Sequence, residues 1–314
     1  MIIDVAGLAK RYGRSDALID LTMQVEPGEV FGFLGPNGAG KTTAVKLLLG
    51  LARPTRGHGT VLGAPLGDRT TRSRIGYLPE LFRYQPWLRA REVLELHARL
   101  IDAGGRPSNR RVTAASIAAT LHDVGLADRA DDLVGGFSKG MQQRLGLGVA
   151  LLGAPELVVL DEPTSALDPV GRMDVRSIIG QARESGSTVF LNSHLLGEVE
   201  RVCDRVAIVD HGRVLESGRL DDLLGDVGVR IRVTDLAAPP LADLAGLGPV
   251  EWSDGWLTIT PISPDRIPDA VAAVVAAGGR VHAVDAGRAS LEDRFLRLVG
   301  GTPLAYHDRH EDSG

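Results

Sequence analysis

The chain has 314 residues, 44% of them hydrophobic and 24% charged, with 35 basic and 40 acidic side chains and a formal net charge of −5. That balance belongs to a globular chain with an ample core and length for about two domains, and it leaves no electrostatic footprint for nucleic acid. A single cysteine, Cys203, excludes a disulfide framework and a cysteine metal cluster and fits a reducing compartment.

The N-terminus, Met1-Ile2-Ile3-Asp4, lacks the basic and apolar regions of a signal peptide. No uncharged apolar stretch is long enough to cross a bilayer. The best candidate, Leu145 to Leu160, is broken by Pro155 and Glu156. The expectation is a soluble chain able to dock on a membrane protein.

Val30-Phe31-Gly32-Phe33-Leu34 is apolar throughout, as in a parallel strand covered on both faces. Directly after it stands Gly35-Pro36-Asn37-Gly38-Ala39-Gly40-Lys41-Thr42-Thr43, a complete P-loop, and a helical stretch over Thr43 to Leu49. Gly35, Gly38 and Gly40 allow a backbone nest whose N–H groups face phosphate oxygens. The helix adds roughly half a positive charge at its N-terminus. Lys41 reaches the β- and γ-phosphates, and the Thr42 hydroxyl can ligate Mg²⁺.

Between Trp87 and Leu133 the pattern turns helical, with apolar residues at helical spacing over Leu88 to Leu96 and at Ile117, Leu121 and Val124. Asp102 to Asn109 reads as a loop. A helical insertion in an α/β core is the expectation. Next comes Phe137-Ser138-Lys139-Gly140-Met141. Ser138 and Gly140 offer a hydroxyl and backbone N–H groups at a helix start, a second anion site. One nucleotide does not need two such sites from one chain, which argues for a second chain completing the pocket.

Leu157-Val158-Val159-Leu160-Asp161-Glu162 is an apolar strand ending in two carboxylates. Such a strand delivers its last residues to the crevice at the sheet's carboxyl edge. Asp161 is placed to hold Mg²⁺ through water, and Glu162 to act as general base for an attacking water. Further buried strands are expected at Thr188 to Leu191 and Val206 to Val209.

The style changes near residue 225. Val227, Val229, Ile231 and Val233 alternate as in a half-buried strand, and Ala237 to Pro240 reads as a loop. Trp252-Ser253-Asp254-Gly255-Trp256 reads as a hairpin turn. Pro264 to Ala277 carries Ile267, Val271, Val274 and Val275 on one helical face, ended by Gly278-Gly279. A strand follows at Arg280 to Asp285, then a capping box at Ser290 to Asp293 with Leu291, Phe295 and Leu298 on one face. This is a small α+β domain without a catalytic constellation, and His307 to Gly314 reads as a polar tail.

The order of P-loop, Ser-x-Gly segment, Asp-Glu strand end and Ser165-Ala166-Leu167-Asp168 resembles an ATP-binding cassette (ABC) ATPase over about residues 1 to 220. The resemblance implies an α/β P-loop NTPase cassette at 1–222, with a helical subdomain at about 85–140, an accessory α+β domain at 226–302 and a polar tail at 303–314. It implies ATP and Mg²⁺ as ligands and a head-to-tail homodimer with two ATP molecules between P-loop and signature segment. Ser165 to Asp168 matches the family's D-loop at the dimer interface. His194, in Asn192-Ser193-His194, matches the switch histidine at the γ-phosphate, and Tyr12 matches the aromatic that stacks on adenine.

Two departures stand out. In Ile75-Gly76-Tyr77-Leu78-Pro79-Glu80, which matches the Q-loop, the expected glutamine is Glu80; it offers oxygen to Mg²⁺ or water but adds negative charge. The signature has Lys139 and Met141 where Gly and Gln are commoner. Lys139 either adds positive charge near the second nucleotide or is solvated. These features, with Ser290-Leu291-Glu292-Asp293-Arg294-Phe295-Leu296, resemble the ATPase subunits of type 2 exporters, a branch that includes antibiotic-resistance and sodium-export ATPases.

The resemblance implies a polytopic permease partner, docked on the insertion around Trp87 to Leu100, and a cytoplasmic location at the inner face of the membrane. The other reading, a soluble ABC ATPase acting on nucleic acid or ribosomes, is disfavoured by the acidic charge, the compact insertion and the single cassette.

Overall fold

The computed structural model describes residues 1–103, 111–165, 167–236, 244, 246–287 and 290–300. The expected polar tail, the loop Ala237 to Pro240, Ala166 and most of the expected loop Asp102 to Asn109 lie outside them. The chain divides into two compact units, Met1–Arg219 and Leu220–Gly314.

The first unit begins with β1 (Ile3–Tyr12), β2 (Ser15–Val25) and β3 (Val30–Leu34), then α1 (Lys41–Leu48), β4 (Arg56–Val61), β5 (Ala64–Pro65) and β6 (Ile75–Leu78). The helices α2 (Ala90–Ala103), α3 (Ala114–Asp123) and α4 (Lys139–Leu151) precede β7 (Leu157–Asp161). Then come α5 (Pro169–Glu184), β8 (Thr188–Ser193), α6 (Leu196–Val202), β9 (Arg205–Asp210) and β10 (Arg213–Arg219). The strands form one sheet in the order β5-β4-β1-β2-β10-β9-β3-β8-β7-β6.

Its functional half is the parallel run β9-β3-β8-β7-β6. Every residue of β3, β7 and β8 is buried, because helices cover both faces of a parallel sheet. Phe190 of β8 lies between Phe31 and Phe33 of β3, with ring centroids 5.9 and 5.4 Å away. The insertion is helical as expected: Ile117, Leu121 and Val124 are all buried, and Thr113 caps α3 through a reciprocal bond with Ser116.

The other half of the sheet corrects the sequence reading, which contained no strand before Val30. β1, β2, β4 and β5 form an antiparallel layer. β2 buries Leu21, Met23 and Val25 alternately, but the register of β1 shifts between Val5, Leu8 and Lys10. Such bulges change the phase of a period-2 pattern and hide it.

The second unit contains α7 (Leu220–Leu224), β11 (Gly228–Thr234), β12 (Val250–Ser253), β13 (Trp256–Ile259), α8 (Ile267–Ala276), β14 (Arg280–Gly287) and α9 (Leu291–Gly300). Its sheet order is β12-β13-β11-β14. Val229, Ile231 and Val233 face a core with Leu257, Ile259, Ala270 and Val274. Val275 departs from expectation: it is 55% exposed, and Ala270 takes the buried place on α8. Ser290 and Asp293 cap α9 reciprocally.

Candidate functional site

The carboxyl edge of the parallel strands collects the charged residues. β3 ends at Leu34, paired with Ser193 of β8, while Asp161 of β7 is paired with Asn192 of β8. β6 lies beside β7 and ends two residues before Glu80. The P-loop therefore leaves an inner strand, with the two carboxylates and His194 on the neighbouring strand ends.

The glycines of the loop act for different reasons. Gly38 and Gly40 have positive φ, 86° and 99°, a region other residues enter at a cost. Gly35 does not; there a Cβ would lie 2.3 Å from the Val209 carbonyl oxygen. Gly40 is the N-cap of α1 and supplies no side-chain cap, so the first N–H groups of the helix are available to an anion. Lys41, the first residue of α1, is buried and its Nζ donates to the carbonyl oxygens of Gly35 at 2.7 Å and Pro36 at 3.4 Å. Thr42 beside it is exposed.

Burial lowers the Lys41 pKa, opposed by the charges of Glu162, Asp161 and Glu80. Burial raises that of Asp161, against the Asn192 hydrogen bond, and Glu80 and Glu162 push it further up while Lys41 pulls it down. The Tyr77 hydroxyl is pushed up to about 12 by burial, then by Asp161 and Glu80. Glu80, itself exposed, thus acts on the same site as Lys41 and Asp161. Three carboxylates facing one lysine are short of positive charge, and hard oxygens suit a divalent ion held by one or two carboxylates plus phosphate oxygens. Thr42 and Asp161 fit that role. Among the described residues no group of three or more His, Cys, Asp or Glu could hold a metal.

Glu162 is 8% exposed and has φ of +53°, an unusual conformation for a non-glycine residue. It is held by its N–H on the Asn192 carbonyl at 2.9 Å and by its own carbonyl accepting from Ser165 Oγ at 3.1 Å. His194 Nδ1 comes within 2.7 Å of Glu162 Oε2, without hydrogen-bond alignment.

The remaining residues stand apart from this cluster. Tyr12 is half exposed at the end of β1, with Lys10 Nζ 4.9 Å from its ring centroid. Ser138 is the N-cap of α4 and accepts from the Met141 N–H at 3.2 Å; Ser138 and Lys139 are exposed. Gly140 follows in the first turn. Asp168 is exposed and caps α5 by accepting from the Gly171 N–H at 2.8 Å. Neither Ser138 nor Asp168 is bonded to Lys41, Asp161, Glu162 or His194. One connection does exist: Gln143 of α4 donates to the Pro163 carbonyl at 2.8 Å, tying the signature helix to the residue after Glu162.

Sequence reasoning missed Asn192. It is buried, and its Nδ2 donates to Asp161 Oδ1 at 2.5 Å. Its only sequence signal is a polar residue inside an apolar strand, two positions before His194.

Comparison with known proteins agrees with this geometry. The family model described as ABC transporter matches residues 18–165. An uncharacterized ABC transporter ATP-binding protein of Synechocystis is 41% identical over 90% of this chain and 78% of its own length. The bacitracin transport ATP-binding protein BcrA of Bacillus licheniformis is 40% identical over 71% of each chain. Nod factor export ATP-binding protein I of Cupriavidus pinatubonensis is 33% identical over 95% of this chain and 91% of its own. The solved structure of an ATP-binding subunit of an ABC transporter is 32% identical, with a TM-score of 0.61, over 71% of this chain and 92% of that one. The P-loop fold, the order of its strand-end residues and these relatives together make the chain a member of the ABC transporter ATP-binding proteins, a family of ATP-hydrolysing cassettes.

Proposed function

We propose that this chain is the ATP-hydrolysing subunit of an exporter: two copies close head to tail over two ATP molecules, and closure drives a separate polytopic permease. The observation that supports this most is the meeting of Lys41, Asp161, Glu162 and Glu80 at one sheet edge, with His194 2.7 Å from Glu162.

In this reading Tyr12 stacks on adenine, and the N–H groups of the Gly35–Thr43 loop and the start of α1 take the phosphates. Lys41 exchanges the Gly35 carbonyl for phosphate oxygens. Thr42 and Asp161, with Glu80 nearby, would hold Mg²⁺, which when bound would supply positive charge against that developing on the phosphoryl group. Glu162 takes a proton from the attacking water. His194 steadies the γ-phosphate. Ser138, Lys139 and Gly140 act on the nucleotide of the opposite copy, with Asp168 in the loop between the two copies.

The name of the Nod factor export relative supports export over import. Trp87 is 69% exposed and Leu100 62%; exposed apolar surface of this kind supports the insertion as the permease's docking surface. Among the described residues no helix is long and apolar enough to cross a membrane, so a place at the inner membrane face depends on that partner. The cassette is assigned to 1–222 and an accessory domain, serving dimer stability or regulation, to 226–302.

The test is to isolate the tagged full chain from its native membranes in mild detergent, identify a polytopic partner, and measure MgATP turnover of the complex against the chain alone. A polytopic partner whose presence changes turnover is the expected result. A chain that comes free of membrane protein, or with ribosomes or DNA, would refute the transporter assignment.

A further inference from the structure

Asn192 is 1% exposed and touches both strand-end carboxylate residues. Its side-chain Nδ2 donates to Asp161 Oδ1, and its main-chain carbonyl accepts from the Glu162 N–H. Its Oδ1 has no hydrogen-bond partner. A carboxylate only accepts, so an ionised Asp161 admits one orientation of the amide, with Nδ2 toward it and Oδ1 turned away. The cross-strand pairing of Asp161 with Asn192 in β7 and β8 makes this contact a property of the sheet rather than of a loop.

We propose that Asn192 is a positioning residue for the divalent ion: its amide occupies Asp161 Oδ1 and so presents the other oxygen, Oδ2, to the metal or a metal-bound water. The carbonyl of the same residue keeps Glu162 at a set distance from that oxygen. The unpartnered Oδ1 is left for a donor that arrives with the nucleotide, such as water. Hydrogen-bond partners of metal-ligating carboxylates commonly set metal affinity by 10- to 100-fold. This inference rests on the reading of the edge as a nucleotide and metal site.

The test uses the full chain with ADP and Mn²⁺, following bound Mn²⁺ by electron paramagnetic resonance, with ADP affinity measured separately in EDTA. Binding of Mn²⁺·ADP by the native chain checks the parent reading; if there is none, that reading fails first. Asn192→Leu keeps the volume and removes the amide, and is expected to weaken Mn²⁺ binding by roughly tenfold or more while metal-free ADP affinity stays within about twofold. Asn192→Ala is the second variant, should the branched side chain prevent folding. A merely structural role would lower both affinities together. A folded variant, shown by its melting transition, that binds Mn²⁺ as the native chain does would overturn the proposal.

Discussion

Replacing Glu162 by glutamine isolates its proton affinity from its shape. The backbone contacts that hold residue 162, to the Asn192 carbonyl and from Ser165, do not involve the side chain. The amide has nearly the same volume, so the site near His194 keeps its packing. What disappears is the ability to take a proton. A positioned general base contributes about 10²–10⁴ in rate, or about 2.7–5.4 kcal/mol of barrier. Turnover is therefore expected to fall by about 100-fold or more. ATP affinity should hold or increase, because one of the three carboxylates acting on Lys41 is neutralised. Phosphate release under saturating MgATP and equilibrium binding of a fluorescent ATP analogue measure the two quantities on one preparation. Turnover within about threefold of the native chain, with binding retained, would refute Glu162 as the base.

Lys41→Ala removes the cation seated against the Gly35 carbonyl and should weaken ATP binding by about tenfold or more; an unchanged dissociation constant counts against the phosphate role. Asp161→Asn should abolish Mg²⁺-dependent hydrolysis yet stabilise the ligand-free chain by about 0.5–2 kcal/mol. Burial raises the Asp161 pKa, so between its unfolded and folded values the native state holds more protons and stability falls as pH rises; the mutant's melting advantage should grow as pH rises through the folded pKa and vanish below the unfolded value of about 3.9. Glu80→Gln removes a charge acting on Asp161 and Lys41 and should tighten metal-free ATP binding roughly two- to fivefold, a change lost if Glu80 points away from the phosphates. Phe190→Ala empties the space between Phe31 and Phe33 and should cost about 3–5 kcal/mol in denaturant unfolding.

The parallel half of the sheet was legible because burial on both faces leaves unbroken apolar runs, as at Val30 to Leu34 and Leu157 to Leu160. The antiparallel half was not. In β1 the bulges between Val5 and Lys10 interrupt the alternation that marks a half-covered strand. β10 shifts register between Val214 and Glu216 and its turn is made by His211 and Gly212, both at positive φ, so it too lacked a clear period. On α8 the helical period was right but its phase was not resolved between Val275 and Ala270. In the site, residues whose chemistry depends on chain order, such as Lys41 after its glycines, were readable. Asn192 was not, because its meaning comes from lying across from Asp161, 31 residues away.

The same edge shows what such a site costs the fold. Among the described residues, the buried side-chain atoms without a hydrogen-bond partner are Glu162 Oε2 and Asn192 Oδ1. Glu162 Oε2 has His194 Nδ1 at 2.7 Å, whereas Asn192 Oδ1, an unsatisfied buried acceptor, costs about 1–3 kcal/mol, and the positive φ of Glu162 adds about 1–3 kcal/mol more. Both atoms sit on strand-end residues linked by one backbone hydrogen bond, so the expense is concentrated rather than scattered. The rigid apolar strands β3, β7 and β8 can hold these groups against it, because each strand is buried along its whole length. Water is the donor that would relieve the two acceptors, and a divalent cation the charge that would relieve the crowded carboxylates. Binding them lowers the energy of the edge most where the protein alone leaves it highest, which ties ligand affinity to the strain at Glu162, directly after β7.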